Sequence, residues 1–196
     1  LAFGLAIFVL LTTWKRGREL LHERMAADAL QLKPFIEDIT TSGIGRVPGT
    51  AIFMTPAPES VPHALLHSLK HYKTLHEQVV ILSVSVFDVP YVPDIDRVEV
   101  HRLAGNFSQV IVQYGFKDEP DIPAALGLCA AGGLHIDLMD ASFFLGRETL
   151  IPKLESDMAY WRELLFVAMF RNASSATAFF RIPSNRVVEL GSQIVL

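Results

Sequence analysis

The chain opens with a run that has no polar face. Leu1–Leu11 reads LAFGLAIFVLL, without a charge or an amide. Thr12, Thr13 and Trp14 follow, and then Lys15, Arg16, Arg18 and Arg24. An apolar run, an aromatic residue at its edge and a cluster of cations just beyond describe a helix leaving a bilayer on the cytoplasmic side. A full span takes about 20 apolar residues. This run is shorter, so it reads as the end of a transmembrane helix that starts before Leu1. A signal peptide would carry its cations ahead of the apolar run. A buried helix of a soluble domain is the competing reading, and such helices usually keep a polar stripe.

Beyond Trp14 the helix is expected to continue, with Leu21, Met25, Ala29 and Leu32 at helical spacing and able to pack on the body. Lys33-Pro34 disfavours an unbroken helix, with another turn or two over Phe35–Thr40 and a loop from Thr40 to Gly45. Gly49–Thr55 reads as a strand. Pro56–Ser60 is a turn ending in an N-cap candidate, and Val61–Lys73 is a helix with Leu65, Leu66, Leu69 and Tyr72 inward. Gln78–Phe87 (QVVILSVSVF) suits a strand buried on both faces. Strand, helix and buried strand make a βαβ unit with a parallel pair.

Arg97–Leu103 alternates, Gly105-Asn106 is a turn signal, and Phe107–Phe116 is a further strand, so this stretch predicts an antiparallel hairpin. A helix is expected over Pro120–Cys129, ended by Gly132-Gly133, and a strand over Met139–Leu145. Asp157–Asn172 follows as a helix with Trp161, Leu164, Leu165, Ala168 and Met169 as its core side. Val187–Glu189 is a last short strand, and the apolar Ile194-Val195-Leu196 is expected to pack on the body. The predicted fold is α/β: a mixed β-sheet with a βαβ start and flanking helices, preceded by the end of a transmembrane helix.

Composition narrows the partners. The 196 residues carry a net charge of −4. Lys15, Arg16, Arg18 and Arg24 outnumber Glu19 and Glu23, so the first 24 residues are basic and the rest is acidic. An acidic body excludes a nucleic-acid polymer as the expected partner. The basic collar suits membrane lipid and puts the body on the cytoplasmic face. Cys129 is the single cysteine, which removes internal disulfides and thiolate clusters. Its Ala/Gly/Leu surroundings make it an inert packed thiol.

Several stretches resemble one family. They are TTWKRGR at Thr12–Arg18, RVPGTAIFMT at Arg46–Thr55, ALLHSLKHYKTLHE at Ala64–Glu77, YGF at Tyr114–Phe116, SFFLGRETL at Ser142–Leu150 and RIPSNRVVELGSQIVL at Arg181–Leu196. In this order along the chain they resemble the C-terminal part of the KUP/HAK/KT potassium-uptake transporters, particularly the bacterial Kup proteins. The resemblance implies a multi-pass protein of the inner (plasma) membrane that moves K⁺ inward, in many members with H⁺, and a homodimer as in some relatives. It implies three parts: residues 1–18 as the end of the last transmembrane helix with its basic collar, 19–45 as an amphipathic connecting helix and loop, and 46–196 as a cytosolic α/β domain. The family's ion-handling residues lie in membrane helices before Leu1, so no K⁺-binding residue is carried over.

Local chemistry is sparse. His63, His67 and His71 recur four apart on the predicted helix, with His76 beyond. Two histidines at that spacing can bind zinc, but no ligand set is completed nearby except by Glu77, and no metal or other cofactor is called for. The stripe Leu65, Leu69, Tyr72 faces elsewhere, which puts the histidines on an exposed side where Lys70 joins them. A basic face of that kind can hold a phosphate or an acidic lipid, and its titration near neutral pH is a second use. Gly43-Ile44-Gly45-Arg46 with Gly49 has the glycines of a phosphate loop in the wrong order, because a strand follows them. Arg46 still lies at the start of the βαβ unit. The candidate ligand-binding residues are therefore Arg46, His67, Lys70 and His71. Arg147-Glu148 is expected to form an ion pair or cap after a strand. Asp137, Asp140, Glu155 and Asp157 are scattered without forming a dyad, and Ser142 lacks a G-x-S-x-G setting, so no catalytic residue is assigned. The expected function is a regulatory, assembly or stabilising cytosolic domain of a potassium transporter. The alternative is a module that senses a nucleotide, a cyclic dinucleotide or ATP, for that transporter.

Overall fold

A computed structural model describes residues 2–27, 29–153 and 157–195. Leu1, Leu196 and Glu155 lie outside the described residues. The fold is α/β, with a six-stranded mixed sheet and flanking helices. The chain divides into two compact units, one of Leu30–Gly146 and Ser175–Leu190, the other of Leu1–Ala29, Arg147–Ser174 and Gly191–Leu196.

The larger unit holds most of the sheet. β1 (Gly45–Met54), α3 (His63–Tyr72) and β2 (Thr74–Phe87) form the expected right-sequence βαβ unit with β1 and β2 parallel. β3 (Val98–Arg102) and β4 (Phe107–Gly115) form the expected antiparallel hairpin, and β4 lies parallel to β2. β5 (Ala141–Ile151) begins parallel to β1, pairing Thr50 with Ala141 through Phe53 with Phe144. With β6 (Val187–Val195) the order is β3-β4-β2-β1-β5-β6.

Side chains alternate across the central strands. Ile52, Val80 and Leu82 pack on one face with Ile122, Ala125 and Leu126 of α4 (Ile122–Leu128). Ala51, Phe53, Val79 and Ile81 pack on the other with Leu32, Ile36 and Ile39 of α2 (Leu32–Thr41) and Ala64 and Leu65 of α3. Both faces are thus covered, which is why β2 reads as a continuous apolar run. α4 is capped by the Asp121 carboxylate, which accepts the Ala124 N–H at 2.9 Å, and Gly133 ends the following 3-10 turn in the left-handed region.

The smaller unit is built on α1 (Ala2–Ala27) and α5 (Tyr160–Arg171). Its core is Leu20, Leu21, Leu150, Met158, Phe166 and Val167, with Trp14, Met25, Phe170 and Ile194 against it. No helix among the described residues is long and apolar enough to cross a membrane.

Several expectations require correction. The stripe Leu21, Met25, Ala29 and Leu32 is not one helix face. α1 stops at Ala27, Ala29 is exposed, and Leu32 starts α2 in the other unit. Pro34 sits inside the first turn of α2, where its missing N–H leaves no helical bond unmade. Tyr72 is exposed while Ala64, Leu65 and Ser68 face inward. α5 turns the opposite way from the expected one: Trp161, Leu164 and Ala168 are exposed, and Glu163, Phe166 and Val167 are buried. α5 is apolar nearly all round, so periodicity alone had two faces to choose from. Arg147 and Glu148 are consecutive residues inside β5, where their side chains alternate across the strand, and not in a loop after it. The last strand runs on to Val195, taking Ile194 into the smaller unit's core.

Candidate functional site

Three of the four candidate ligand residues, Arg46, Lys70 and His71, lie toward one end of the sheet, and His67 lies one turn back along α3. Arg46 lies in β1 and pairs in register with Leu75, just after α3 gives way to β2. Lys70 and His71 lie in the last turn of α3, which leads into the same end of β2. That is the end where β1 and β2 begin. In doubly wound folds ligands settle in the crevice beyond the strands' carboxyl ends, so these residues are at the opposite edge from the expected crevice.

Arg46 is engaged locally. Its Nη1 donates to the His76 carbonyl at 3.0 Å, and its guanidinium lies over the Phe107 ring, 5.4 Å from the centroid. His67 is half-buried, His71 and Lys70 are exposed, and the two imidazoles lie 5.4 Å apart. Cations in the last turn of a helix complement its dipole without any ligand. Among the described residues no group of three or more His, Cys, Asp or Glu side chains comes together in a metal-holding arrangement. His76 leaves the helix and packs edge-on against Phe144 at 5.7 Å. Burial lowers its pKa, with the Asp140 charge pulling the other way.

At the carboxyl ends of the strands the order of strand addition switches sides between β1 and β5, which run parallel, and Thr55 sits buried at the end of β1. Its N–H donates to the Leu82 carbonyl at 2.9 Å, and its hydroxyl bonds the backbone of Ala57. The Pro56–Ser60 turn is stitched down: the Gln109 amide donates to the Pro58 carbonyl at 2.7 Å, the Leu32 N–H to Glu59, and the Val61 N–H to Leu30. These bonds bind the turn to the sheet and to the start of α2.

The structure adds two features that the sequence does not signal. A cavity of about 270 Å³ is lined by Lys33, Ile36 and Glu37 of α2, by Arg102 at the end of β3 and by Leu103 and Ala104 just after it. The Arg102 Nη2 donates to the Gly133 carbonyl at 2.7 Å. Lys33 and Arg102 come from segments far apart in the chain, so no local motif marks the place.

The second feature is a clasp on the loop after β2. The Arg97 guanidinium lies over the Tyr114 ring, 5.0 Å from its centroid. It pairs with Asp118 at 3.2 Å and Asp94 at 3.3 Å, and it bonds the Val92 carbonyl. Burial works against its charge, but the bonds and charges of Asp118 and Asp94 hold its pKa above the ordinary value. The Asp118 carboxylate accepts the Gly115 N–H at 2.7 Å and the Val92 N–H at 3.0 Å. Those two N–H groups, together with Arg97, hold the Asp118 pKa below its ordinary value despite some desolvation. A depressed carboxylate pKa contributes stability that is present above the unfolded-state value, about 3.9, and is lost as pH falls through the folded one. Asp118→Asn should therefore be less stable than the parent at neutral pH, and the gap should narrow as urea midpoints are followed from about pH 6 down to pH 3. A gap independent of pH would assign the effect to shape and not to charge. Burial pushes the Cys129 thiol up to about 11, which keeps it un-ionised and fits the inert packed thiol expected from its neighbours.

Residues 48–196 match the family described as the K⁺ potassium transporter C-terminal domain, and the chain belongs to that family. Its relatives carry the corresponding names. Over all 196 residues it is 82% identical to the "Probable potassium transport system protein Kup 3" and 61% identical to the "Probable potassium transport system protein Kup 1", both of Dechloromonas aromatica (strain RCB). It is 57% identical, again over its full length, to the "Probable potassium transport system protein Kup" of Azoarcus sp. (strain BH72). The chain spans 31% of the length of each of these three relatives. No solved structure matches the chain.

Proposed function

We propose that this chain is the cytosolic C-terminal domain of a potassium-uptake transporter of the inner (plasma) membrane, with K⁺/H⁺ symport carried by membrane helices that precede it. In this reading the apolar half of α1 is embedded in the bilayer and the basic collar Lys15–Arg24 marks its cytoplasmic side. The domain regulates, assembles or stabilises the transporter and performs no catalysis of its own. One observation carries the reading: the match to relatives named potassium transport system proteins runs without interruption through all 196 residues, from the apolar run to the last strand. That continuity supports reading α1 and the α/β body as parts of one design.

The test is K⁺ uptake in cells that lack their own uptake systems, using the transporter that carries this chain with and without residues 41–196. The reading expects a changed rate, affinity or regulation, or loss of the protein from the membrane. Unchanged uptake and unchanged regulation would remove it. A homodimer belongs to the assembly version, and the oligomeric mass of the detergent-solubilised transporter reads it out.

A second reading, nucleotide sensing, has one feature in its favour. Strand order, not strand direction, reverses between β1 and β5, and such a switch point is where doubly wound sheets hold nucleotides. Calorimetry of the chain against cyclic dinucleotides and ATP decides it: heat that saturates and is lost on Thr55→Val supports this crevice. Saturating heat lost instead in Arg46→Gln or Lys70→Gln would move the site to the other edge, and the absence of heat at millimolar ligand removes the reading.

A further inference from the structure

α5 presents an uncommon combination of faces. One side is buried through Phe166 and Val167, together with the carboxylate of Glu163, the helix's single acidic residue. A neighbouring side carries Tyr160, Trp161 and Leu164 at 43%, 57% and 45% exposure, in one row with the exposed Ala168. A helix that is apolar on every side belongs in a place that covers every side. The exposed row contains no acidic residue, and Arg171 closes the helix.

The position of α5 within its unit suggests what covers that row. α5 packs on α1 just past its apolar run. The Arg162 Nε donates to the Thr13 hydroxyl at 3.0 Å, the Trp14 ring meets Phe166 edge-on at 5.6 Å, and Gly17 lies against the same Phe166 ring. Thr13 is two residues beyond Leu11, about 3 Å along the helix axis. Phe3, Leu5, Phe8, Leu10 and Leu11 of that run are themselves exposed. If the run is seated in hydrocarbon, the start of α5 falls within the interfacial layer, which is about 5 to 8 Å deep on each side of a bilayer. Trp and Tyr are the side chains that concentrate there, with an apolar body toward the acyl chains and a polar edge toward water. Lys15, Arg18 and Arg24 are exposed on α1 nearby in the same unit, a charge that suits anionic headgroups.

We infer that the first turns of α5, through Tyr160, Trp161 and Leu164, are seated in the cytoplasmic headgroup layer of the membrane beside α1. The occupant of this face is lipid. α5 is then a second membrane contact of the chain, beyond the helix that its apolar run announces. The inference rests on the reading that the start of α1 is membrane-embedded.

Trp14 and Trp161 are the chain's two tryptophans, so single-tryptophan variants separate the inference from the reading beneath it. Trp161→Phe leaves Trp14 as the reporter, and Trp14→Phe leaves Trp161. Both are reconstituted in vesicles of phosphatidylcholine and phosphatidylglycerol, with and without phosphatidylcholine brominated on its acyl chains. The expected result is a blue-shifted emission for both reporters, quenched by bromine near the headgroup more than by bromine near the chain end, with Trp161 shielded from aqueous iodide. If Trp14 is quenched by bromine while Trp161 is not, the inference fails and the reading of α1 stands. This holds whether iodide reaches Trp161 or a protein surface shields it. If neither is quenched, the membrane reading of α1 fails and takes the inference with it. Leu164→Glu supplies an independent measure: it should reduce Trp161 quenching without changing the far-ultraviolet circular dichroism, and unchanged quenching counts against lipid on this face.

Discussion

Gly115→Ala is expected to be among the most damaging single substitutions in the larger unit. Gly115 ends β4, and the loop after β2 is laid directly over it. The Phe116 N–H donates to the Val89 carbonyl and the Lys117 N–H to the Pro90 carbonyl, each at 2.9 Å. A methyl group at residue 115 would overlap those same two carbonyl oxygens, Val89 and Pro90. Backbone atoms cannot turn aside as a side chain can. The overlap must be relieved by lifting the loop, which breaks its bonds to Phe116 and Lys117 and separates Asp118 from the Val92 N–H. We expect a loss of about 3 kcal/mol or more, at the upper end of overpacking effects. It would be read as a lowered urea midpoint together with rapid proteolysis between residues 88 and 97. A stability within about 0.5 kcal/mol of the parent would mean that the loop moves aside freely, and would remove the clasp as a structural element.

Gly17→Leu should have the second large effect, confined to the smaller unit. α1 and α5 approach so closely at Gly17 that any Cβ would enter the Phe166 ring. Small residues at a helix crossing permit this approach, and a branched side chain forces the helices apart. The expected cost is about 2 to 3 kcal/mol of α1–α5 packing. Its signature is a red-shifted Trp14 emission, because Trp14 packs edge-on against the displaced Phe166 ring. The amides of the β1–β2 pair should keep their exchange protection. Gly17→Ala combined with Phe166→Leu should recover part of the loss, since the smaller side chain makes room for the added methyl. Additive losses in that pair would place the effect of Gly17 elsewhere.

The parts of the fold that were legible in the sequence are those where one physical signal dominates. β2 is buried on both faces and is β-branched, so no other element suits Gln78–Phe87. Gly105-Asn106 between two alternating runs leaves little but a hairpin. Helix faces were less legible. Tyr72 and Trp161 are large and apolar, and a reading that sends such residues inward places both wrongly. The core chose Ala64 and Ser68 in α3 because β1 and β2 lie close beneath them, and Phe166 in α5 because it meets Gly17. Both choices depend on residues distant in the chain. The candidate site was legible only as composition. The histidine spacing on α3 is real, and His67 and His71 do lie side by side, but which edge of the sheet they occupy is a matter of topology. The cavity between Lys33 and Arg102 had no sequence signal, because its two cations come together only when the β3–β4 turn packs beside α2.

β5 and β6 have a mechanical consequence. The chain passes between its two units four times, and two of those passages, at Gly146-Arg147 and at Leu190-Gly191, fall inside strands and not in loops. A loop has slack and takes up a displacement by uncoiling. An extended strand is already near full length at about 3.3 Å per residue and has almost none to give. β5 also enters its second unit directly from the register that holds it to β1. A pull along either strand is therefore delivered at once at its far end, as through a taut cord, and a push is lost to bending.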